Sequence, residues 1–140
     1  MNIFQQAVSV TGRCLLGLYF LIPGITKVTG FGANAAYMEK HGMVFVPFFL
    51  TVTLILQIGG GLFLIAGYKV RTTALMFALM IVAINIVMHD FWNIYEGLNQ
   101  AHETQNFVKN LAIMAGLLVL GTHQGDSPLS LDHRLRQHST

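Results

Sequence analysis

His89 and Asp90 close the run MIVAINIVMHDFW, which is otherwise apolar almost throughout from Met80 to Met88. An imidazole changes charge near neutral pH, so beside a carboxylate it can pass protons. Similar groups border other apolar runs. Lys27 ends CLLGLYFLIPGITK, and Lys109 and Asn110 begin KNLAIMAGLLVLG. Tyr37 and His41 in AAYMEKHG are spaced to share one face of a helix. Gln57 lies within the longest uncharged run, a helical turn from both Thr53 and Gly61. The chemistry on offer is proton relay by His89 and Asp90, with Lys27, Tyr37, Gln57, Lys109 and Asn110 as ligand-binding donors. Asp90 is the natural counter-ion for Lys27 or Lys109. The plainer account is that each charged residue marks a water boundary, with its lysine stem snorkelling.

The elements that would position these groups follow from composition. Of 140 residues, 54% are apolar and 10% charged, and mean hydropathy is +0.59. Soluble chains carry roughly 25% charged residues. A chain of this length cannot hide so much apolar surface in a water-soluble core. A net charge of +2, with no basic run, gives no reason to expect nucleic acid as a partner. The single cysteine, Cys14, excludes an intrachain disulfide, a CxxC redox pair and a cysteine zinc cluster.

Apolar runs predict four spans, at about residues 8–27, 44–67, 72–89 and 107–121. Each is near the roughly 20 residues that cross a bilayer, the last being the shortest. The alternative of three spans behind a cleaved signal peptide leans on Ala33-Asn34-Ala35, which lies far from the first apolar run. The expected fold is an all-α integral membrane four-helix bundle. A short amphipathic helix, capped by Asn34 and stopped by Gly42, should occupy the first outer loop. Residues 1–125 form one transmembrane domain in this reading, and residues 126–140 a polar cytoplasmic tail. Arg13, Lys69, Arg71, Arg134 and Arg136 fall on one side, against Lys27, Lys40 and Lys109 on the other. That balance puts both termini in the cytoplasm.

The segment HDFWNIYEGLNQAHETQ reads as a second outer loop, with Trp92 and Tyr95 suited to an interface. Gly17, Gly24 and the run Gly59-Gly60-Gly61 mark seams where helices approach closely, or space for a flat ligand. No metal site is expected, because His41, His89 and His102 lack helical spacing. His89 and His123 sit at opposite faces and cannot share a haem.

In order along the chain, GLYFLIPGITKVTGF, AAYMEKHG, LILQIGGGLFLIAGYKVRTTAL, MHDFW and FVKNLAIMAGLLVL resemble the DoxX family of small bacterial membrane proteins. The resemblance covers about Gly12 to Asp132. It implies four membrane helices in the bacterial inner membrane and a role in redox or oxidative-stress metabolism. Relatives commonly carry Glu before the glycine run, where this chain has Gln57. By resemblance, Lys27, Tyr37, His89, Asp90, Lys109 and Asn110 fall where the family tends to be polar.

The expectation is therefore a quinone-linked oxidoreductase component or accessory subunit, with bound quinone and no covalent cofactor. Whether the chain is itself an enzyme is left open. Its partners would be the lipid bilayer and either a redox protein or further copies of the same chain. A non-catalytic scaffold subunit and a small-molecule transporter are the alternatives.

Overall fold

The computed structural model describes residues 2–123 and 129–138. Among them the chain is all-helical, with six helices in order: α1 (Ile3–Thr29), α2 (Phe31–Lys40), α3 (Val46–Ala66), α4 (Val70–Met88), α5 (Gln100–Thr122) and α6 (Leu131–Gln137). Three of these, α1, α3 and α4, are long and apolar enough to cross a membrane. Their outward faces carry large apolar side chains such as Leu15, Ile22, Ile55, Phe63, Leu79 and Ile86. So broad an apolar exterior suits hydrocarbon rather than water.

The bundle is built from two pairs. α1 packs along α3, and α4 along α5, while the pairs touch each other more sparingly. Glycine makes the first pair close. A Cβ on Gly61 would lie 2.9 Å from the Gly17 carbonyl oxygen, and one on Gly24 3.0 Å from the Gln57 Cβ. Gly60 faces the other way, where a Cβ would meet the Phe77 ring of α4 at 2.6 Å. The glycine run is thus a packing seam for two neighbours at once.

A tight turn joins the pairs. Gly67, at φ +72°, ends α3, with Gly67 N–H donating to the Leu64 carbonyl and Tyr68 N–H to the Phe63 carbonyl. This is the glycine-dependent helix stop in which only a residue without Cβ sits comfortably. At this turn end the core is dense. Phe20 and Phe77 stack with centroids 3.8 Å apart, surrounded by Leu64, Ala74, Ile81 and Leu117.

α6 returns to the turn end. The Arg13 guanidinium, buried in the bundle, donates to the Leu129 carbonyl at 3.4 Å, and Asp132 N–H donates to the Gly67 carbonyl. So part of the expected tail is docked helix. Residues 126–128, 139 and 140 of that tail lie outside the described residues.

Two local expectations are corrected. Asn34 does not cap α2. It lies inside the helix and donates to the Gly30 carbonyl at 2.8 Å, because α2 starts directly after the Gly30 break. The fourth long helix begins well before the apolar run at 107. Asn99 caps α5 by accepting from His102 N–H, so Gln100 to Asn106 is helix rather than loop. The polar residues of that first stretch hid the helix from a hydropathy reading.

Candidate functional site

At the α2 end the helices part around a cavity of about 790 Å³. Sequence-predicted residues Lys27, Tyr37, Gln57, His89, Lys109 and Asn110 all line it. Phe20 and Ile81 form part of its lining, continuous with the dense core, and Met38, Met43, Met80 and Met88 supply an adaptable apolar wall.

One polar wall belongs to α2, α4 and α5. Glu103 is buried and holds two partners: the Tyr37 hydroxyl donates to Oε1 at 2.8 Å, and His89 Nδ1 lies 2.6 Å from Oε2. A contact that short between ring nitrogen and carboxyl oxygen is a close hydrogen bond, whose donor and acceptor are set by the imidazole tautomer. Burial first, and then the hydrogen bond and charge of Glu103, push the Tyr37 phenol well above its ordinary range.

Lower in the cavity a second chain runs across three helices. Tyr19 of α1 donates to Asn110 Oδ1 at 3.1 Å. Asn110 donates to Asn85 Oδ1 at 2.8 Å, and Asn85 donates to the Phe107 carbonyl at 3.1 Å. Asn110 therefore bridges helix pairs as well as lining the cavity.

Lys27 turns inward, where a snorkelling lysine would turn out. Its ammonium donates to Gln57 Oε1 at 3.3 Å. The Gly24 contact with Gln57 brings α1 and α3 close enough for this reach. Lys109 is exposed and donates to Asn106 Oδ1 at 2.9 Å.

Asp90 departs from expectation. It does not pair with Lys27 or Lys109. The two ion pairs among the described residues are His89–Glu103 and His41–Asp90, the latter at 3.8 Å. His89 ends α4 facing the cavity, whereas Asp90 leaves the helix and turns to the connecting segment. There Asp90 Oδ2 accepts from Tyr95 at 2.6 Å and from Asn93 at 2.7 Å. His41 lies between the rings of Tyr37 and Tyr95, tilted against both, its centroid 4.7 and 4.6 Å from theirs. Asp90 thus pins the segment after α4, and the carboxylate beside the imidazole is Glu103. Among the described residues no three His, Cys, Asp or Glu side chains converge as metal ligands.

Burial works to raise the Asp90 carboxyl, but the hydrogen bonds from Tyr95 and Asn93 outweigh it and hold the group below the usual carboxylate range. A depressed folded pKa stabilises the protein in full above the unfolded value near 4, and that stabilisation is lost as pH falls through the folded value. Asp90→Asn should therefore lower the melting midpoint at neutral pH, by an amount equivalent to about 1 kcal/mol. Melts from pH 7 to pH 3 should show the two proteins converging below about pH 4. A constant gap across that range would contradict this role.

Residues 8–90 match the family model described as DoxX. The chain is 34% identical over 129 residues to inner membrane protein YqjF of Escherichia coli (strain K12), covering 91% of this chain and 92% of that one. The chain belongs to the DoxX family. It is also 25% identical over 122 residues to inner membrane protein YphA of the same organism, covering 87% of this chain and 86% of that one. No solved structure matches it. As a DoxX-family integral membrane protein, it presents its apolar exterior to the lipid bilayer. The family match ends at Asp90, so it contains Lys27, Tyr37, Gln57 and His89 but not Glu103, Lys109 or Asn110.

Sequence reasoning missed Glu103, reading it as a loop acid. Glu103, Asn106 and Asn110 recur at helical spacing after a good capping residue, Asn99. That stripe is the signal that could have found it.

Proposed function

We propose that this DoxX-family protein is a quinone-linked component of a membrane oxidoreductase. It would lie in the bacterial inner membrane as one domain of four spans, with α5 as the fourth and both termini cytoplasmic. The observation that carries the reading is the cavity. Its volume falls within the roughly 300–1,000 Å³ of small-molecule sites, and its wall is mostly apolar with a few convergent polar groups. A flat ring with oxygens on its rim fits that lining. Phe20 and the methionines can cover the faces, while Lys27 and Tyr37 reach the edges.

When bound, a quinone supplies the two-electron chemistry that this chain's side chains lack. Lys27 orients an oxygen and stabilises charge that develops there. Tyr37 and the His89–Glu103 pair hold protons at the cavity wall, within a connected set of hydrogen bonds, and can hand them over as charge develops. The apolar wall limits water. Electrons would come from a partner redox protein.

Protein purified from membranes in mild detergent should yield a quinone on organic extraction and mass spectrometry, with a matching ultraviolet band. Lys27→Met combined with His89→Phe should lose it. Extracts free of quinone, from a preparation that retains a stoichiometric protein partner, would replace this reading with a non-catalytic scaffold.

A further inference from the structure

Charge in the cavity is unevenly matched. Glu103, the carboxylate on its wall, has both oxygens engaged, by Tyr37 and by His89. Lys27 reaches inward and meets a neutral amide, Gln57, and neither ion pair among the described residues includes it. A second cation, Lys109, stands at the rim on a neutral partner, Asn106. A lysine directed into a bundle at a span normally faces a counter-charge or a cavity that supplies one. Here the protein provides the cavity and not the counter-charge. Gln57 accepts through Oε1, which leaves its amide N–H groups to donate to a ligand.

We propose that the cavity takes its ligand as an anion, an ionised hydroxyquinone or a ring-bearing acid of similar size, with the Lys27 ammonium as its counter-charge and Gln57 as a second donor. This rests on the reading of the cavity as a quinone site and narrows its ligand class. Selection follows from desolvation. A neutral ring leaves the Lys27 charge unmatched in a mostly apolar wall, whereas an oxyanion matches it. Lys109 at the rim adds attraction for an approaching anion.

The test uses the full chain in an uncharged detergent at neutral pH and fixed salt, with two probes of nearly the same shape. 2-Hydroxy-1,4-naphthoquinone is ionised under these conditions and 2-methyl-1,4-naphthoquinone is neutral. Equilibrium dialysis should show the ionised probe binding tighter by about tenfold or more, the scale of one buried charge pair. Lys27→Met should weaken both probes, the ionised one more, and so remove that preference. Gln57→Glu, which keeps Lys27 but supplies a carboxylate beside it, should also erase the preference and does not depend on the first variant folding. Equal binding of the two probes by the unaltered protein, or a preference that survives Gln57→Glu, would overturn the proposal while leaving the quinone site intact. Failure of both probes to bind would overturn the proposal and the site together.

Discussion

Gly61→Leu is expected to leave little folded bundle. A Cβ at Gly61 would sit 2.9 Å from the Gly17 carbonyl oxygen, 2.9 Å from Leu21 Cβ and 3.0 Å from Leu21 N. Two of these neighbours are helix backbone and cannot rotate away, so α1 must move off α3. Ordinary overpacking costs about 1–3 kcal/mol, and here the whole leucine branch follows the clashing Cβ. Domains are stable by only about 5–15 kcal/mol in total. The same run contains its own control. A Cβ at Gly59 meets nothing within 4 Å. Gly59→Leu should therefore be tolerated, and even gain about 0.8–1 kcal/mol of helix propensity. Size-exclusion profiles after stepwise heating should show Gly61→Leu aggregated where Gly59→Leu still elutes as the unaltered protein does. Equal behaviour of the two would mean that the α1–α3 seam is not where the bundle is held.

The other large effect should come from Glu103. Glu103→Gln keeps the size of the side chain but removes the charge shared by Tyr37 and His89. Because Glu103 helps hold the Tyr37 phenol above its ordinary range, the variant should titrate closer to that range. Tyrosinate absorbance, with Tyr37→Phe subtracted to isolate the residue, reads this directly. Burial is the larger cause of the shift and stays in place, so the return should be partial. On the quinone-linked function proposed above, losing the proton-sharing carboxylate should slow quinone turnover in membranes by about 100-fold, the lower end of general acid–base contributions. Glu103→Ala should do more damage to stability, leaving His89 and Tyr37 without their buried partner at a cost of about 1–3 kcal/mol. An unchanged Tyr37 titration in Glu103→Gln would show that the hydrogen bond does not set the phenol's proton affinity.

Much of this arrangement is legible in the sequence where the physics is one-dimensional. Long uncharged runs identify α1, α3 and α4, because crossing hydrocarbon is a matter of length and composition. Small residues at Gly17, Gly24, Gly60 and Gly61 announce close approach before any partner is known. Side-chain direction is less legible. Lys27 at a span end reads as a boundary marker, yet its amine turns inward because Gly24 lets α3 and Gln57 come near. Adjacent His89 and Asp90 read as a pair, but one residue past a helix end the backbone changes direction. The imidazole and its neighbour's carboxylate then serve different networks. Glu103 was hidden because a hydropathy scan discards polar helix, although His102, Glu103 and Asn106 of that stretch line the cavity.

The dense stack of Phe20 and Phe77 lies toward the turn end of the bundle, and the cavity opens at the other. A scaffold arranged in this way keeps its tightest packing apart from most of its cavity wall, with Phe20 shared between the two. Exchanging Met38, Met43 or Met88 alters the shape of a binding wall without touching the ring stack or the glycine seam. The consequence is evolvability. One frame can acquire new ligands by small steps, each of which leaves a folded protein for the next step to act on.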